Sequence, residues 1–224
     1  MRRYLGSIVL AAVALPAFAQ RVPVMSAEEM QGLMPNGAKM ETRVDGDFNG
    51  DGETDTAFVW RSEEGVDEAR GLMVGVAYRN EFDMGHDPAG ELSLDPFPLG
   101  SASLSVRKSV LIVEDLTGGT TATQSTRRYR YDAKQRKMRL IGIDAERYSR
   151  TNSHGTTKIS WNLLDGTHIV ERGEPNTDPK SDAALVYAKP ERTVRKSLPV
   201  WMEESPDPDE LIDAEIVPEG EDRD

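Results

Sequence analysis

The chain reads as mainly β: a twisted antiparallel sheet, closed as a sandwich or a partly rolled barrel, with one short N-terminal helix. Three observations predict this. Short runs rich in Val, Ile, Thr, Tyr and Phe recur between Lys39 and Leu198, a composition suited to a pleated, half-buried surface. Turn dipeptides (Asn49-Gly50, Asp51-Gly52 and Asp165-Gly166) separate several of them. Helical spacing behind a start signal occurs near the amino terminus, beginning at Ser26.

Residues 1–19 have the pattern of an export signal. Arg2 and Arg3 form a charged start, Leu5 to Leu15 is apolar, and Ala17-Phe18-Ala19 predicts cleavage before Gln20. An apolar run of that length is too short for a membrane span, which needs roughly 20 residues, and no later segment is long or apolar enough. The expected setting is periplasmic or secreted. The sequence contains no Cys, although an oxidising compartment permits disulfides. Stability is therefore expected from core burial and from bound metal.

A net charge of -12 argues against nucleic-acid binding, which depends on neutralising phosphates. Much of the acidity lies in residues 199–224, where eleven acids face one base, Arg223. Pro199, Pro206, Pro208 and Pro218 interrupt regular structure there. The reading is a single β-rich domain over 20–198 followed by an acidic, disordered tail. Trp201, Met202, Leu211 and Ile212 are possible docking anchors within that tail, whose candidate partner is an envelope or basic protein.

Taken in order, Ser26-Ala27-Glu28-Glu29 is a capping box. Met30, Leu33 and Met34 continue a helix from Ala27 to Met34, which Pro35-Asn36-Gly37 ends. Strands are expected at Lys39 to Val44, Thr56 to Trp60, Gly71 to Tyr78 and Ser109 to Asp115. Further strands are expected at Ser125 to Asp132, Met138 to Asp144, Lys158 to Leu164 and Thr167 to Glu171. Leu185 to Ala188 and Thr193 to Leu198 would be edge strands. Glu81 to Gly100 and Gly173 to Asp182 are Pro- and Gly-containing polar stretches and read as long connections.

The chemically informative stretch is Asp47-Phe48-Asn49-Gly50-Asp51-Gly52-Glu53-Thr54-Asp55. Oxygen-bearing side chains at positions 1, 3, 5 and 9, with glycine at 6, match the first part of a calcium loop. An EF-hand would need flanking helices and a Glu at position 12, where Phe58 stands, so the loop is expected between two strands. A second register begins at Asp45 and would use Asp45, Asp47, Asn49 and Glu53. The Asp47 register is preferred because it uses Asp51 and Asp55.

The segment Gly46-Asp47-Phe48-Asn49-Gly50-Asp51-Gly52-Glu53-Thr54-Asp55-Thr56-Ala57-Phe58-Val59 resembles the calcium segment of FG-GAP and VCBS-type repeats. That resemblance implies Ca2+ as cofactor, held by Asp47, Asn49, Asp51, the Glu53 carbonyl and Asp55. The segment occurs once, whereas a propeller repeats it. A wider resemblance, to exported bacterial single-domain proteins of undefined function, rests on Gly118-Gly119, Tyr129-Arg130-Tyr131, Leu140-Ile141-Gly142 and Asn162-Leu163-Leu164-Asp165-Gly166.

A catalytic motif does not emerge from the spacing. His86, His154 and His168 show no zinc spacing and read as surface residues; Asp83, His86 and Asp87 could form a second metal cluster, and no Ser stands in G-x-S-x-G. The expected function is a non-enzymatic calcium-binding module, binding or envelope-associated. The alternative is a hydrolase of extracellular or cell-envelope polymer, which would need facing carboxylates in a pocket.

Overall fold

The structure is a computed structural model describing residues 21–63, 65, 68–178, 180, 181 and 183–216. The expected signal segment, 1–19, lies outside the described residues. The capping box forms as anticipated: the Ser26 hydroxyl accepts from the Glu29 amide at 3.1 Å and Glu29 accepts from the Ser26 amide at 2.7 Å. Helix α1 (Ala27–Leu33) buries Met30 and stops before Pro35, whose ring cannot continue the hydrogen-bond ladder.

Four strands follow as one antiparallel sheet in sequence order: β1 (Lys39–Gly46), β2 (Asp55–Arg61), β3 (Arg70–Arg79) and β4 (Met84–Leu94). The second sheet runs β5 (Ser103–Arg107), β6 (Val110–Gly118), β7 (Thr121–Asp132), β8 (Lys137–Ser149), β9 (Thr156–Asn162) and β10 (Thr167–Pro175), each paired antiparallel with its predecessor. Two short strands, β11 (Leu185–Tyr187) and β12 (Glu191–Val194), share the far edge of β10.

The two sheets face one another as a sandwich, without closing into a barrel. Ala57, Val59, Leu72, Val74, Leu92 and Leu94 of the first sheet meet Leu111, Val113, Tyr129, Met138, Leu140 and Ile143 of the second. The opposite face of the first sheet is also covered, because Phe58, Trp60 and Met73 pack against Met25, Met30 and Ala38. This is why β2 and β3 are buried on nearly every residue instead of alternating.

The expected long connection at Glu81 to Gly100 is corrected, since most of it is β4. Its glycine and proline are tolerated because it is an edge strand with a register shift opposite Val74/Gly75. A second irregularity, between Arg128 and Tyr129, skips Ile141 in the pairing. That extra residue changes the phase of β8, so Met138, Leu140 and Ile143 all point inward despite their uneven spacing.

The larger correction concerns the acidic tail. Residues Val200–Trp201 form strand β13 along β8, a short 3-10 turn spans Met202–Glu204, and helix α2 occupies Pro208–Asp213. Met202 and Ile212 are completely buried. The apolar residues among the acids found seats in the body, and the acids found its arginines. The folded unit therefore extends through at least Ile216, and residues 217–224 lie outside the described residues. Among the described residues no helix is long and apolar enough to cross a membrane.

Candidate functional site

The Asp47–Asp55 segment joins β1 to β2 as expected, and two glycines make the turn: Gly50 and Gly52 have φ of +82° and +85°, a region that side chains disfavour. With the chain turned this way, Asp47 folds back and accepts from the Gly50 and Gly52 amides at 2.6 and 3.1 Å. Asn49 accepts from the Asp51 amide at 2.9 Å and donates to the Asp51 carboxylate at 2.8 Å. Asp51 in turn accepts from the Glu53 amide at 2.8 Å.

Asp55 anchors the base of this turn. It is fully buried and accepts from the Phe48 amide at 2.6 Å and the Ala77 amide at 2.8 Å, tying the loop to β3. Burial pushes its carboxyl up to about 6 and the nearby Asp51 charge adds to this, while the two amides act in the opposite direction. Phe48 is buried beside it and pins the loop to the core.

The Glu53 side chain points elsewhere. It accepts from the Val22 amide at 3.0 Å and pairs with Arg79 at 3.0 Å, leaving its carbonyl for the role the resemblance implies. Asp45, the start of the alternative register, is engaged by Thr56 at 2.8 Å and by Arg43 at 2.9 Å. Among the described residues no three His, Cys, Asp or Glu side chains are gathered ready to hold an ion. The donor chemistry nevertheless fits a hard cation, because carboxylates, an amide oxygen and backbone carbonyls are the ligands calcium takes.

The proposed second cluster does not assemble, because Asp83, His86 and Asp87 have three different partners. Asp83 accepts from the Tyr78 hydroxyl at 3.0 Å, His86 lies 3.3 Å from Glu29, and Asp87 pairs with Arg136. The expectation of surface histidines holds for His154 alone. The His86 side chain is covered, with Nε2 unpartnered. His168 is 2 % exposed, and burial followed by the Arg195 charge lowers its pKa although Glu215 opposes this.

Sequence spacing missed the most thoroughly buried ionic group. A β-bulge between Met40 and Thr42 leaves Glu41 as the extra residue and turns its side chain inward. Arg70, wholly buried, reaches Glu41 at 2.8 and 2.9 Å and Asp115 at 2.8 and 3.0 Å. Burial alone would raise the Glu41 carboxyl, but bonds from Arg70, Arg61 and the Ala102 amide outweigh it and hold it at about 2. The network joins β1, β3 and β6 across both sheets, and nothing in the local sequence announces it.

The exposed face of β7–β10 has a shallow groove of about 320 Å³ that includes Asp144, Glu146, Lys158 and Glu171. Asp144 is paired with Arg128 at 2.6 Å and Glu146 with Lys158 at 3.3 Å. No protein-family model, curated protein or solved structure matches the chain.

Proposed function

We propose that the Asp47–Asp55 turn binds one calcium ion, which fastens the β1–β2 connection in an exported β-domain acting as a binding or envelope-associated module rather than as a catalyst. One observation carries this reading: the two glycines fold a nine-residue segment so that Asp47, Asn49, Asp51 and Asp55 contribute oxygens to one short turn. Asp47, Asn49, Asp51, the Glu53 carbonyl and Asp55 would hold the ion. Bound calcium would offset the mutual repulsion of the acids in this turn, which otherwise loosens it.

Asp55 is bonded to β3 and Glu53 to the Val22 amide, so stiffening the turn also steadies the two segments it touches. An extracytoplasmic setting would keep even a weak site filled, since extracellular modules work at about 10⁻⁴ to 10⁻³ M.

The test is thermal unfolding with excess calcium and with chelator. At about 100 times the dissociation constant the ion should add roughly 2.7 kcal/mol, which raises the midpoint by about 5 to 10 °C for a chain of this size. Asp51→Ala should abolish the rise. Identical melts in calcium and chelator would remove the calcium reading.

A further inference from the structure

A row of cations crosses the outer face of the second sheet. Arg107 of β5 stands opposite Val110 of β6, Val110 opposite Arg130 of β7, and Arg130 opposite Arg139 of β8. Trp201 of β13 closes the row beside Arg139. Directly opposed residues of antiparallel strands share one face. Leu140, Val200 and Tyr129, the chain neighbours of Arg139, Trp201 and Arg130, pack on the core, so the row itself points outward. At about 4.8 Å per strand, Arg107 and Arg139 are roughly 14 Å apart, with Trp201 one spacing farther.

The fold gives these arginines no counter-charge. The chain has 39 acids against 27 bases, and arginines elsewhere, such as Arg70, Arg128 and Arg147, meet carboxylates. Among the described residues the ion pairs omit Arg107, Arg130 and Arg139. The buried Nε of Arg139 has no hydrogen-bond partner either, while Arg107 and Arg130 are exposed. Like charges directly opposite one another weaken a sheet, so the Arg130–Arg139 pair works against the fold that carries it.

We propose that the Arg107–Arg130–Arg139 row, ended by Trp201, binds a sugar chain that bears carboxylates. A guanidinium pairs with a planar carboxylate through two parallel bonds, and the half-buried indole gives a sugar ring an apolar surface to lie on. The surroundings restrict the ligand to a slim one. Arg128 in the next row is held by Asp144 at 2.6 Å, and the groove beyond carries Glu146 and Glu171 on the same face. Beside Trp201, Glu203 pairs with Lys137 at 3.4 Å. A bilayer or a nucleic-acid duplex laid on this face would press its own charges against those acids, whereas a single chain along the row avoids them. This gives the binding module proposed above a ligand class and rests on that reading, though not on the calcium turn.

The experiment measures binding of a fluorescent oligogalacturonate to the full chain in chelator, which keeps calcium from bridging the ligand's carboxylates. The wild type should bind it, and the methyl-esterified oligomer should bind at least about tenfold more weakly, because each lost charged bond is worth about 1.5 to 3 kcal/mol. Binding should weaken as salt rises from about 0.05 to 0.5 M. The double variant Arg130→Gln with Arg139→Gln should lose at least about tenfold in affinity while melting no lower than the wild type, since it relieves the repulsion. No binding by the wild type at roughly millimolar ligand, or equal binding of the ester or by the double variant, overturns the proposal. So does binding of single-stranded oligothymidylate or of phosphatidylglycerol vesicles at least as strong as that of the sugar acid. If the double variant does not fold, amide shifts in the wild type decide: the ligand should move the Arg107, Arg130 and Arg139 signals and leave those of β2 and β3 unchanged, and the reverse pattern defeats the proposal. The calcium melts are unaffected by either result and test the turn separately.

Discussion

Glu41 and Asp115 stand inside the sandwich with side chains 6 % and 4 % exposed, whereas Asp209 and Asp213 hold the C-terminal helix with side chains 43 % and 65 % exposed. Both pairs meet an arginine at hydrogen-bonding distance, Arg70 in the first case and Arg147 in the second. The settings reverse what each bond is worth. Around Arg70, breaking one partner strands a desolvated charge; around Arg147, water and salt replace a lost partner. The ion pairs of the richest acidic run are therefore the more exposed ones, and buried acids in β1, β2 and β6 are the ones the fold depends on.

The largest break in this comparison is expected inside. Arg70→Ala leaves Asp115 buried without its cation and Glu41 with Arg61 alone, and should cost about 3 to 5 kcal/mol, read as a denaturant midpoint shift at unchanged slope. Asp55→Ala is comparable: it leaves the Phe48 and Ala77 amides without acceptors, at about 1 to 3 kcal/mol each. That loss should persist in chelator, whereas Asp51→Ala, which frees the exposed Glu53 amide, should act mainly on the calcium-dependent part of the melt.

Acid offers a graded version of the same test. The Glu41 carboxyl is held at about 2 against an ordinary 4.5, so its contribution is complete above about pH 4.5 and is lost as pH falls from there through about 2. A shift of that size corresponds to roughly 3 kcal/mol. Glu41→Gln should flatten the stability profile in that window, and an unchanged acid limb would show that other groups dominate it.

The smallest effect belongs to the outer set. Arg147→Ala should cost about 1 kcal/mol or less of global stability while increasing the exchange of the Leu211 and Ala214 amides. A loss as large as that of Arg70→Ala would erase the distinction between the two regions.

Local features of the fold were legible because their causes lie within a few residues. The capping box at Ser26, the glycine-turned loop at 47–55 and the β runs through Thr167 each depend on near neighbours. The turn at 47–55 was placed between its two strands, but the bonds its oxygens make were not legible, since Asp55 reaches the Ala77 amide on another strand. Strand β4 was misread because proline and glycine look like loop residues until edge position excuses them. The acidic C-terminal segment was misread because composition counts charges without knowing whether arginines wait nearby.

The sequence by itself determined a mainly β chain, one capped helix, and a glycine-turned, oxygen-rich loop between two strands. Tertiary structure decided which acids are buried, which side of β8 faces inward, and that residues 200–216 belong to the folded body. The reason is separation along the chain. Arg70 and Asp115 are 45 residues apart, and Thr123 and Asp209 are 86 apart. A bulge of one residue at Glu41 sets which way its carboxylate points. Contacts of that range depend on how the sheets stack, and no local spacing encodes them.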